Sequence, residues 1–454
     1  MSHHHHGPVA TGTDGKKHLT VLSNMDSATV RKLHREYVMP STFHYYAESL
    51  VLQKGEGMFV TDAEGVQYLD FFGGILTVSL GHCHPEVVAA VREQLGLLGH
   101  TSTLYQNEWI VRLAQQLAQH APGKLQQSFF TNSGSEADET AILLAKLYTG
   151  RQEIIALRHS YSGRGMYAIS AMGHSSWRPI APVMPGISLM PAPYCYRCPF
   201  GLSYPSCDVR CADDVKEVLA TTTTGHPAAF IAEPILGVGG FITPPKEYFQ
   251  KVLEPIRKAG ALFICDEVQT GFGRTGTYWN GIEHWGVQPD IMTYAKGIAS
   301  GMPMGATITT PEIAAAFKGL TISTYGGNPV SSVAALATIH VMDRENIPER
   351  AARLGNRLRQ GLLALQEKYP LIGDVRGMGL MQGIELVEDR KTKEPAPKRA
   401  NHIIETLRKR RFLIGKGGLY GNTLRIAPPM LVSESQIDEA IAHLDVGLHE
   451  ASTS

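Results

Sequence analysis

The sequence lacks the features that mark secreted, membrane-spanning or nucleic-acid-binding proteins. Six cysteines among 454 residues do not make a disulfide framework, which favours a reducing compartment, and we expect the cytoplasm. Lysine plus arginine and aspartate plus glutamate both number 42, so the formal charge is zero. That balance gives no electrostatic reason to expect nucleic acid or an anionic membrane as a partner. No apolar run approaches the roughly 20 residues that cross a bilayer.

The pattern of apolar runs indicates a large α/β protein. From Leu125 to about Val330, short apolar runs alternate with helical stretches, which predicts a mostly parallel sheet covered on both faces. The final part of the chain combines charge-rich amphipathic helices with short apolar segments, typical of a separate α+β layer. We therefore divide the chain into a tag and linker (1–24), an N-terminal segment that contributes to the small domain (25–75), a large domain (76–330) and a C-terminal small domain (331–454).

The segment TNSGSEADE is the first candidate binding site. A predicted strand ends at Phe130, and a helix with acidic residues in its first turn follows a turn of small residues. The amides of Gly134 and Ser135 would lie at the N-terminus of that helix, which favours a phosphate group. A Ser-Gly-Ser turn is as often a plain helix cap, so the segment alone leaves both interpretations open.

The segment ALFICDEVQTGFGRTG places Asp266 and Glu267 at the carboxyl end of an apolar strand, where ligands bind in open α/β sheets. A buried carboxylate there is costly unless it meets a cation, such as a protonated pyridine nitrogen. Val268 and Gln269 are close enough in the chain to reach the face and the phenolic oxygen of the same ring. A solvated turn is the alternative interpretation of the two acids.

Lys296 closes the apolar run IMTYA, which is an unusual place for a side chain that prefers water. A partly desolvated lysine has a lowered pKa and can form a Schiff base. Lys296 follows Asp266 by 30 positions, about the length of one βαβ unit, so both side chains can face one crevice. Taken alone, Lys296 would more often be a surface lysine.

Seven strings resemble, in their order and spacing, the class III aminotransferases, which are pyridoxal phosphate (PLP) enzymes of fold type I: SGSEADE, AEPILGVGG, CDEVQTGFGRTG, PDIMTYAKGI, TYGGNPV, DVRGMGLM and LRIAPP. The resemblance covers essentially everything after residue 24. FFGGILTVSLGHCHP and GKGGLYGNTLRIAPPM are most similar to alanine–glyoxylate aminotransferase 2-like proteins. The implied α/β fold has a large domain with a mostly parallel, seven-stranded sheet and a smaller α+β domain.

The resemblance also assigns roles to individual residues. Lys296 would carry PLP as a Schiff base and later move a proton between the substrate carbon and the cofactor, while Asp266 would hold the pyridinium nitrogen. The other cofactor-binding residues would be Gly134, Ser135, Tyr161, Glu233, Val268, Gln269 and Thr324. Tyr161 would stack on one face of the ring and Val268 would cover the other. Thr324 would reach the phosphate from a neighbouring subunit, which implies a homodimer or a dimer of dimers with the active site at the interface.

On the substrate side, the resemblance points to Arg425, Ile75 and Val238. Arg425 matches the arginine that receives the substrate carboxylate through two hydrogen bonds. GABA and ornithine aminotransferases pair that arginine with a gating glutamate, whereas EPILGVGG has Val238 at the gating position, so we expect Arg425 to stay cationic throughout. This implies a ping-pong reaction through pyridoxamine phosphate, from alanine, β-alanine or a related ω-amine to pyruvate or glyoxylate. Ser162 departs from the histidine that the family commonly has after the stacking aromatic.

Alternative functions stay open at this point. A PLP-dependent phospho-lyase acting on ethanolamine phosphate or a similar amino-phosphate would have the same fold, with Arg425 and Lys416 facing the substrate phosphate. A decarboxylase or an aminomutase is a third option. The resemblance does not choose between a dimer and a tetramer, nor does it identify the natural amino donor.

A cysteine-rich segment, YCYRCPFGLSYPSCDVRC, has a spacing that suits zinc. Its prolines and glycine are equally typical of a surface loop with free thiols, and we favour that interpretation and expect no metal. The four cysteines concerned are Cys195, Cys198, Cys207 and Cys211.

Overall fold

The computed structural model describes residues 25–180 and 184–453. Residues 1–24, predicted as a tag and linker, lie outside this range. The described chain divides into two units: one holds the residues up to Lys54 together with Val60–Gln67, and the other holds Gly55–Phe59 and the residues from Tyr68 onward. The division at residues 75 and 330 stays a prediction.

The smaller unit begins with helix α1 (Ser27–Tyr37), and the Asp26 side chain caps this helix by accepting a hydrogen bond from the Thr29 amide at 2.7 Å. Three short strands follow along the chain: β1 (Leu52–Glu56), β2 (Phe59–Asp62) and β3 (Gln67–Asp70). The turn between β2 and β3 is closed by the Asp62 side chain, which accepts a hydrogen bond from the Val66 amide at 2.8 Å.

A seven-stranded sheet forms the centre of the larger unit, in the spatial order β4-β10-β9-β8-β7-β5-β6. Strand β10 is antiparallel to its two neighbours, and the other pairs are parallel. The predicted fold class is confirmed. The strands are β4 (Gln127–Thr131), β5 (Ile154–Leu157), β6 (Ile187–Met190), β7 (Ala229–Ala232), β8 (Leu262–Asp266), β9 (Ile291–Tyr294) and β10 (Gly305–Thr309).

Burial along the strands follows from helices on both faces of this sheet. Strands β5, β7, β8, β9 and β10 are buried at every residue, which is why their sequences read as continuous apolar runs. The helices of this part are α2 (Gly73–Leu76), α3 (Pro85–Leu97), α4 (Glu108–His120), α5 (Gly134–Thr149), α6 (Met166–Ala171), α7 (Arg210–Asp213), α8 (Val215–Thr222), α9 (Tyr248–Lys258), α10 (Pro311–Ala314) and α11 (Pro329–Arg344).

Helix α5 is bounded by local signals that the sequence carries. The Ser133 side chain accepts a hydrogen bond from the Glu136 amide at 3.2 Å, and Glu136 accepts one from the Asn132 amide at 2.7 Å. The helix ends at Gly150, whose φ of 69° is left-handed and therefore suits glycine. Its inner face packs through Ala141 and neighbouring apolar residues on the central sheet.

The C-terminal part is an α+β layer built around the antiparallel sheet β11-β12-β16-β15, as the sequence predicts. In no helix of residues 25–180 and 184–453 do length and apolarity suffice for a membrane crossing. The C-terminal elements are α12 (Ile347–Lys368), β11 (Ile372–Met378), β12 (Met381–Asp389), β13 (Glu394–Pro395), α13 (Pro397–Lys409), β14 (Phe412–Leu413), β15 (Gly415–Gly417), β16 (Thr423–Ile426) and α14 (Glu434–Thr453).

The packing of α12 against the turn between β11 and β12 gives a stability prediction. A Cβ atom on Gly355 would lie 2.2 Å from the carbonyl group of Gly379, closer than any van der Waals contact. We expect Gly355→Ala to lower the free energy of unfolding by about 1–3 kcal/mol in urea denaturation. Gly96 in α3 is the matched control, because a Cβ there would meet nothing within 4 Å. Gly96→Ala should be neutral or stabilising, and equal losses at both positions would contradict the packing argument.

Candidate active site

A cavity of about 170 Å³ lies at the carboxyl ends of the parallel strands. It brings together eight of the residues singled out from the sequence: Gly134, Ser135, Tyr161, Glu233, Asp266, Val268, Gln269 and Lys296. Their individual roles stay predictions. Asp138, Ser162 and Gly163 complete the lining.

The parallel register of β8 and β9 places an acid and an amine at the same edge of the sheet. Asp266 is the last residue of β8 and pairs with Thr293 of β9. Lys296 follows two residues after β9, and its φ of 44° lies in the left-handed region, which is uncommon for a residue other than glycine. Such strained backbone persists only where the surroundings hold it, and it is frequent at functional sites.

Burial controls the charges of this cavity. It lowers the pKa of Lys296, while the negative charges of Asp266 and Glu233 oppose that shift. It raises the pKa of Asp266, against a hydrogen bond from the Val268 amide at 3.0 Å. Burial, and then the charge of Asp266, raise the pKa of Glu233 to about 8, although Glu233 accepts two backbone N–H groups at 3.0 and 2.7 Å. Lys296 therefore loses its proton more easily than an ordinary lysine, and the neutral amine is the nucleophilic form.

The N-terminus of α5 forms one end of the cavity. Gly134 and Ser135 are the first two residues of the helix, where backbone N–H groups have no partner within the helix. The Ser135 Oγ accepts a hydrogen bond from the Arg164 amide at 3.0 Å. Gly163 lies so close that a Cβ there would come within 2.2 Å of the Ser135 Oγ, and its φ of 123° also requires glycine. Such an end suits a phosphate group.

The cavity also fits an aromatic ring that carries a hydroxyl oxygen. Gln269 is 7% exposed, and within the described residues its Oε1 has no hydrogen-bond partner, which an enclosed ligand would supply. Tyr161 packs edge-on against Trp177, with 6.0 Å between the ring centroids. Val268 contributes an aliphatic wall beside Gly134. Together with an acid for a ring nitrogen, a lysine and a phosphate-binding helix end, these residues fit PLP.

Glu267, the neighbour of Asp266, serves the fold and does not line the cavity. It is 1% exposed and accepts hydrogen bonds from the amides of Gly281 and Ile282 at 2.9 and 2.7 Å and from the Thr270 hydroxyl at 2.5 Å. These contacts hold the loop that follows β8. Neither acid therefore lies in a solvated turn.

Arg425 of β16 contacts the segment that contains Val238. It is 4% exposed, and it donates hydrogen bonds from Nε to the Lys416 carbonyl at 3.2 Å and from Nη1 to the Gly237 carbonyl at 3.3 Å. Val238, the next residue in the chain, is half-buried. The charge of Arg425 also contributes to the lowered pKa of Lys296, so the two cations are electrostatically coupled.

A buried ion network supports this segment from behind. Glu385 of β12 accepts hydrogen bonds from Arg376 Nη1 at 2.6 Å and from Arg197 Nε at 2.5 Å. Arg376 also donates from Nε to the Gly240 carbonyl at 2.8 Å. The charges are paired and hydrogen-bonded, as buried charges must be, and they fix the turn that carries Val238.

Two predicted residues lie outside the cavity lining. Ile75 is 45% exposed and has a left-handed φ of 66°. Thr324 is exposed, and its predicted contact involves a neighbouring subunit. Both assignments stay predictions.

The four cysteines of the proline-rich segment line a separate and smaller cavity, and all of them are free thiols. Across the part of the chain that the structure describes, no group of three or more histidine, cysteine, aspartate or glutamate side chains is arranged to hold a metal ion. Burial and the neighbouring thiols raise the pKa of Cys195 to about 11 and that of Cys211 to about 12. These two thiols are therefore protonated at neutral pH.

Comparison with known proteins agrees with this chemistry. A fold type I sheet with such a cavity defines a PLP-dependent enzyme. The chain belongs to the family described as Aminotransferase class-III, which matches residues 43–447. It is a transaminase, and its cofactor is PLP.

The relatives with curated descriptions cover most of the chain. Alanine–glyoxylate aminotransferase 2 homolog 2, mitochondrial, of Arabidopsis thaliana is 43% identical over 415 residues, which are 91% of this chain and 86% of that protein. The human alanine–glyoxylate aminotransferase 2, mitochondrial, is 37% identical over 433 residues, 91% of this chain and 84% of that protein. These mitochondrial relatives show that the cytoplasmic prediction is wrong. Scarce disulfides indicate a reducing environment and do not identify the compartment.

Solved structures with the same fold include three informative neighbours. An aminotransferase of Bacillus anthracis has a TM-score of 0.88 and 34% identity, covering 94% of this chain and all of that one. An amine transaminase from an uncultivated Pseudomonas species, in its PLP-bound internal aldimine form, has a TM-score of 0.85 and 31% identity, covering 91% of this chain and 99% of that one. A phospholyase from Arthrobacter in complex with phosphoethanolamine has a TM-score of 0.86 and 30% identity, covering 92% of this chain and 99% of that one.

The lowered pKa of Lys296 gives a prediction for the cofactor-free protein. Because burial disfavours the charged amine, more of Lys296 is neutral at a given pH than for an ordinary lysine with a pKa of 10.5. Carbamylation by cyanate, followed by peptide mass spectrometry, should reach half-maximal rate at a lower pH for Lys296 than for Lys246, whose side chain is 81% exposed. Asp266→Asn should lower the midpoint further, since it removes an opposing charge. A Lys296 midpoint at or above that of Lys246 would contradict the argument.

Proposed function

We propose that this transaminase moves an amino group from alanine, β-alanine or a related ω-amine to a small keto acid such as pyruvate or glyoxylate. Bound PLP would carry the amino group between the two half-reactions. The observation that carries the proposal is the contact between the buried Arg425 and the segment with Val238 at the gating position. The names of the alanine–glyoxylate aminotransferase relatives support it.

Bound PLP supplies an electron sink for negative charge at the reacting carbon of the substrate. Lys296 would hold PLP through its Nζ, and the same nitrogen would move a proton to and from the reacting carbon of the substrate. The lowered pKa of Lys296 suits a base that works at neutral pH. Asp266 would keep the ring nitrogen protonated, and the amides of Gly134 and Ser135 would bind the phosphate.

Arg425 binds the substrate carboxylate through its planar guanidinium. Its contacts with the carbonyls of Gly237 and Lys416 fix the plane of the guanidinium, which a two-pronged contact with a carboxylate requires. At position 238 the chain has a valine, so the gating segment offers no side-chain carboxylate there. Small monocarboxylates therefore fit both half-reactions, because the arginine has the same charge to offer in each.

The catalytic form is a homodimer or a dimer of dimers with the active site at the subunit interface. In that form Thr324 reaches the phosphate of the neighbouring subunit's cofactor. The segment around Thr324 is exposed in the single chain and carries the large apolar side chains of Leu320, Ile322 and Tyr325, which are 104%, 63% and 63% exposed. Such a concentration of exposed apolar surface is typical of an interface.

Phospho-lyase activity is the second candidate, because the phospholyase of Arthrobacter shares this fold. A substrate phosphate would need cations, and Arg425 with Lys416 is the available pair. The Lys416 Nζ instead donates to the Asn401 side chain at 2.5 Å, which favours transamination. Release of inorganic phosphate from phosphoethanolamine, without amino transfer from alanine to pyruvate or glyoxylate, would replace the first proposal by the second.

The attachment of the cofactor can be tested directly. We expect the purified enzyme to be yellow and, after borohydride reduction and proteolysis, to carry a pyridoxyl group on the peptide that contains Lys296. Lys296→Ala should lose this modification, whereas Lys246→Ala, a change at an exposed residue, should retain it. A pyridoxyl group on another lysine of the Lys296→Ala protein would show that the assignment is wrong.

A substitution at the gating position tests the substrate proposal. Val238→Glu places a carboxylate that competes with the substrate for Arg425, and we expect kcat/KM for alanine and pyruvate to fall by about tenfold or more. Val238→Gln is the matched control, since it has nearly the same size without the charge and should lose less. Equal losses in the two variants would mean that shape, and not charge, explains the effect.

A further inference from the structure

Asp138 is a cavity residue that the proposed reaction leaves without a role. It lies one helical turn after Gly134 on α5, so its side chain shares the face of the helix that meets the cavity. It is 1% exposed, and its Oδ1 accepts a hydrogen bond from the Thr293 hydroxyl at 2.7 Å. An unpaired carboxylate at such burial is costly, so its position calls for a specific interaction.

The neighbour that can supply it is Asp266, because both carboxyl groups line the same cavity. The register of the sheet explains the contact, because Thr293 pairs with Asp266 across β8 and β9 while its hydroxyl holds Asp138. Two carboxyl groups form a hydrogen bond only when one of them carries a proton, because two carboxylates repel each other and neither has a donor. A proton on one of the two acids would remove this repulsion and supply the donor.

The surroundings decide which of the two acids keeps the proton. Asp266 accepts the Val268 amide at 3.0 Å, and the charge of Lys296 stabilises its ionised form. Asp138 has the Thr293 hydroxyl, which is a neutral donor. Burial, followed by the charge of Asp266, raises the pKa of Asp138 well above its usual range. Asp138 is thus the protonated partner and Asp266 the carboxylate.

We propose that Asp138 is a positioning residue: it stays protonated and donates a hydrogen bond to Asp266, so that Asp266 faces the cofactor's ring nitrogen as an oriented carboxylate. The proposal deepens the proposed function and rests on its assignment of Asp266. Thr293 fixes one carboxyl oxygen of Asp138 and leaves the other to carry the proton. The pair then carries one negative charge, which balances the one positive charge of a protonated ring nitrogen. Two ionised carboxylates would exceed that charge.

Infrared spectroscopy of the cofactor-free protein tests the proton directly. The difference spectrum between the wild type and Asp138→Asn at neutral pH should contain the carbonyl stretch of a protonated carboxylic acid. Asp438→Asn is the control, because Arg357 lowers the pKa of Asp438 and this exposed side chain should yield only carboxylate bands. A wild-type spectrum without the acid band of Asp138 would overturn the proposal, whatever reaction the enzyme catalyses.

Cofactor affinity tests the positioning role. Asp138→Leu has a similar size but no donor, and we expect its dissociation constant for PLP to rise about tenfold or more, since a hydrogen bond to a charged group is lost. Asp138→Asn retains an N–H donor and should recover most of that affinity. Thermal unfolding of both cofactor-free variants checks that they fold. If both are folded and bind PLP equally weakly, the hydrogen bond to Asp266 is not the role of Asp138.

The two proposals fail in different ways. If Asp138→Asn rescues PLP binding and the acid band is present while transfer from alanine is absent, the substrate assignment fails and the role of Asp138 stands. If amino transfer from alanine is present but the acid band of Asp138 is missing, the substrate assignment stands and the role of Asp138 fails. The pH dependence of the free energy of unfolding gives a third readout. Because the pKa of Asp138 is raised in the folded protein, the wild type should lose stability as the pH rises above the usual aspartate value of 3.8. Asp138→Asn should therefore gain stability relative to the wild type over that range.

Discussion

The site depends on the parallel pairing of β8 with β9. Parallel strands end at the same edge of a sheet, so the acid that closes β8 and the lysine that follows β9 share one crevice although 30 positions separate them. The same register sets Thr293 opposite Asp266 and beneath helix α5. The N-terminus of α5 lies at the same cavity. One pairing register thus brings together the Lys296 amine, the Asp266 carboxyl group and the helix end.

Charge is scarce in this crevice because burial opposes every ionised group. One amine and three carboxyl groups, those of Asp138, Glu233 and Asp266, line a cavity of about 170 Å³. Burial lowers the pKa of the amine and raises the pKa of each acid. Hydrogen bonds then decide where charge remains, and the Val268 amide favours it on Asp266. Such a competition of burial and hydrogen bonding is typical of functional sites.

The C-terminal layer positions Arg425 and the turn that carries Val238. The β12 acid Glu385 pairs with Arg376, and Arg376 reaches the Gly240 carbonyl at the end of the turn that carries Val238. Arg425, on the strand beside β12, contacts the start of the same turn. The C-terminal layer therefore orients Arg425 and the segment of Val238 together.

The sequence by itself determined the features that depend on contiguous residues. The apolar runs of the central sheet, the cap of α5 and the positions of Asp266 and Lys296 at strand ends can all be read from short segments, because a strand and its last residue are neighbours in the chain. The short, half-buried run ISLM of β6 carries a weaker signal than the fully buried strands. Only the tertiary structure showed that Glu267 holds the loop after β8 and placed Asp138 against Thr293, 155 positions away. The physical reason is that the direction of a buried side chain is set by the packing of helix on sheet, and residues far apart in the chain determine that packing.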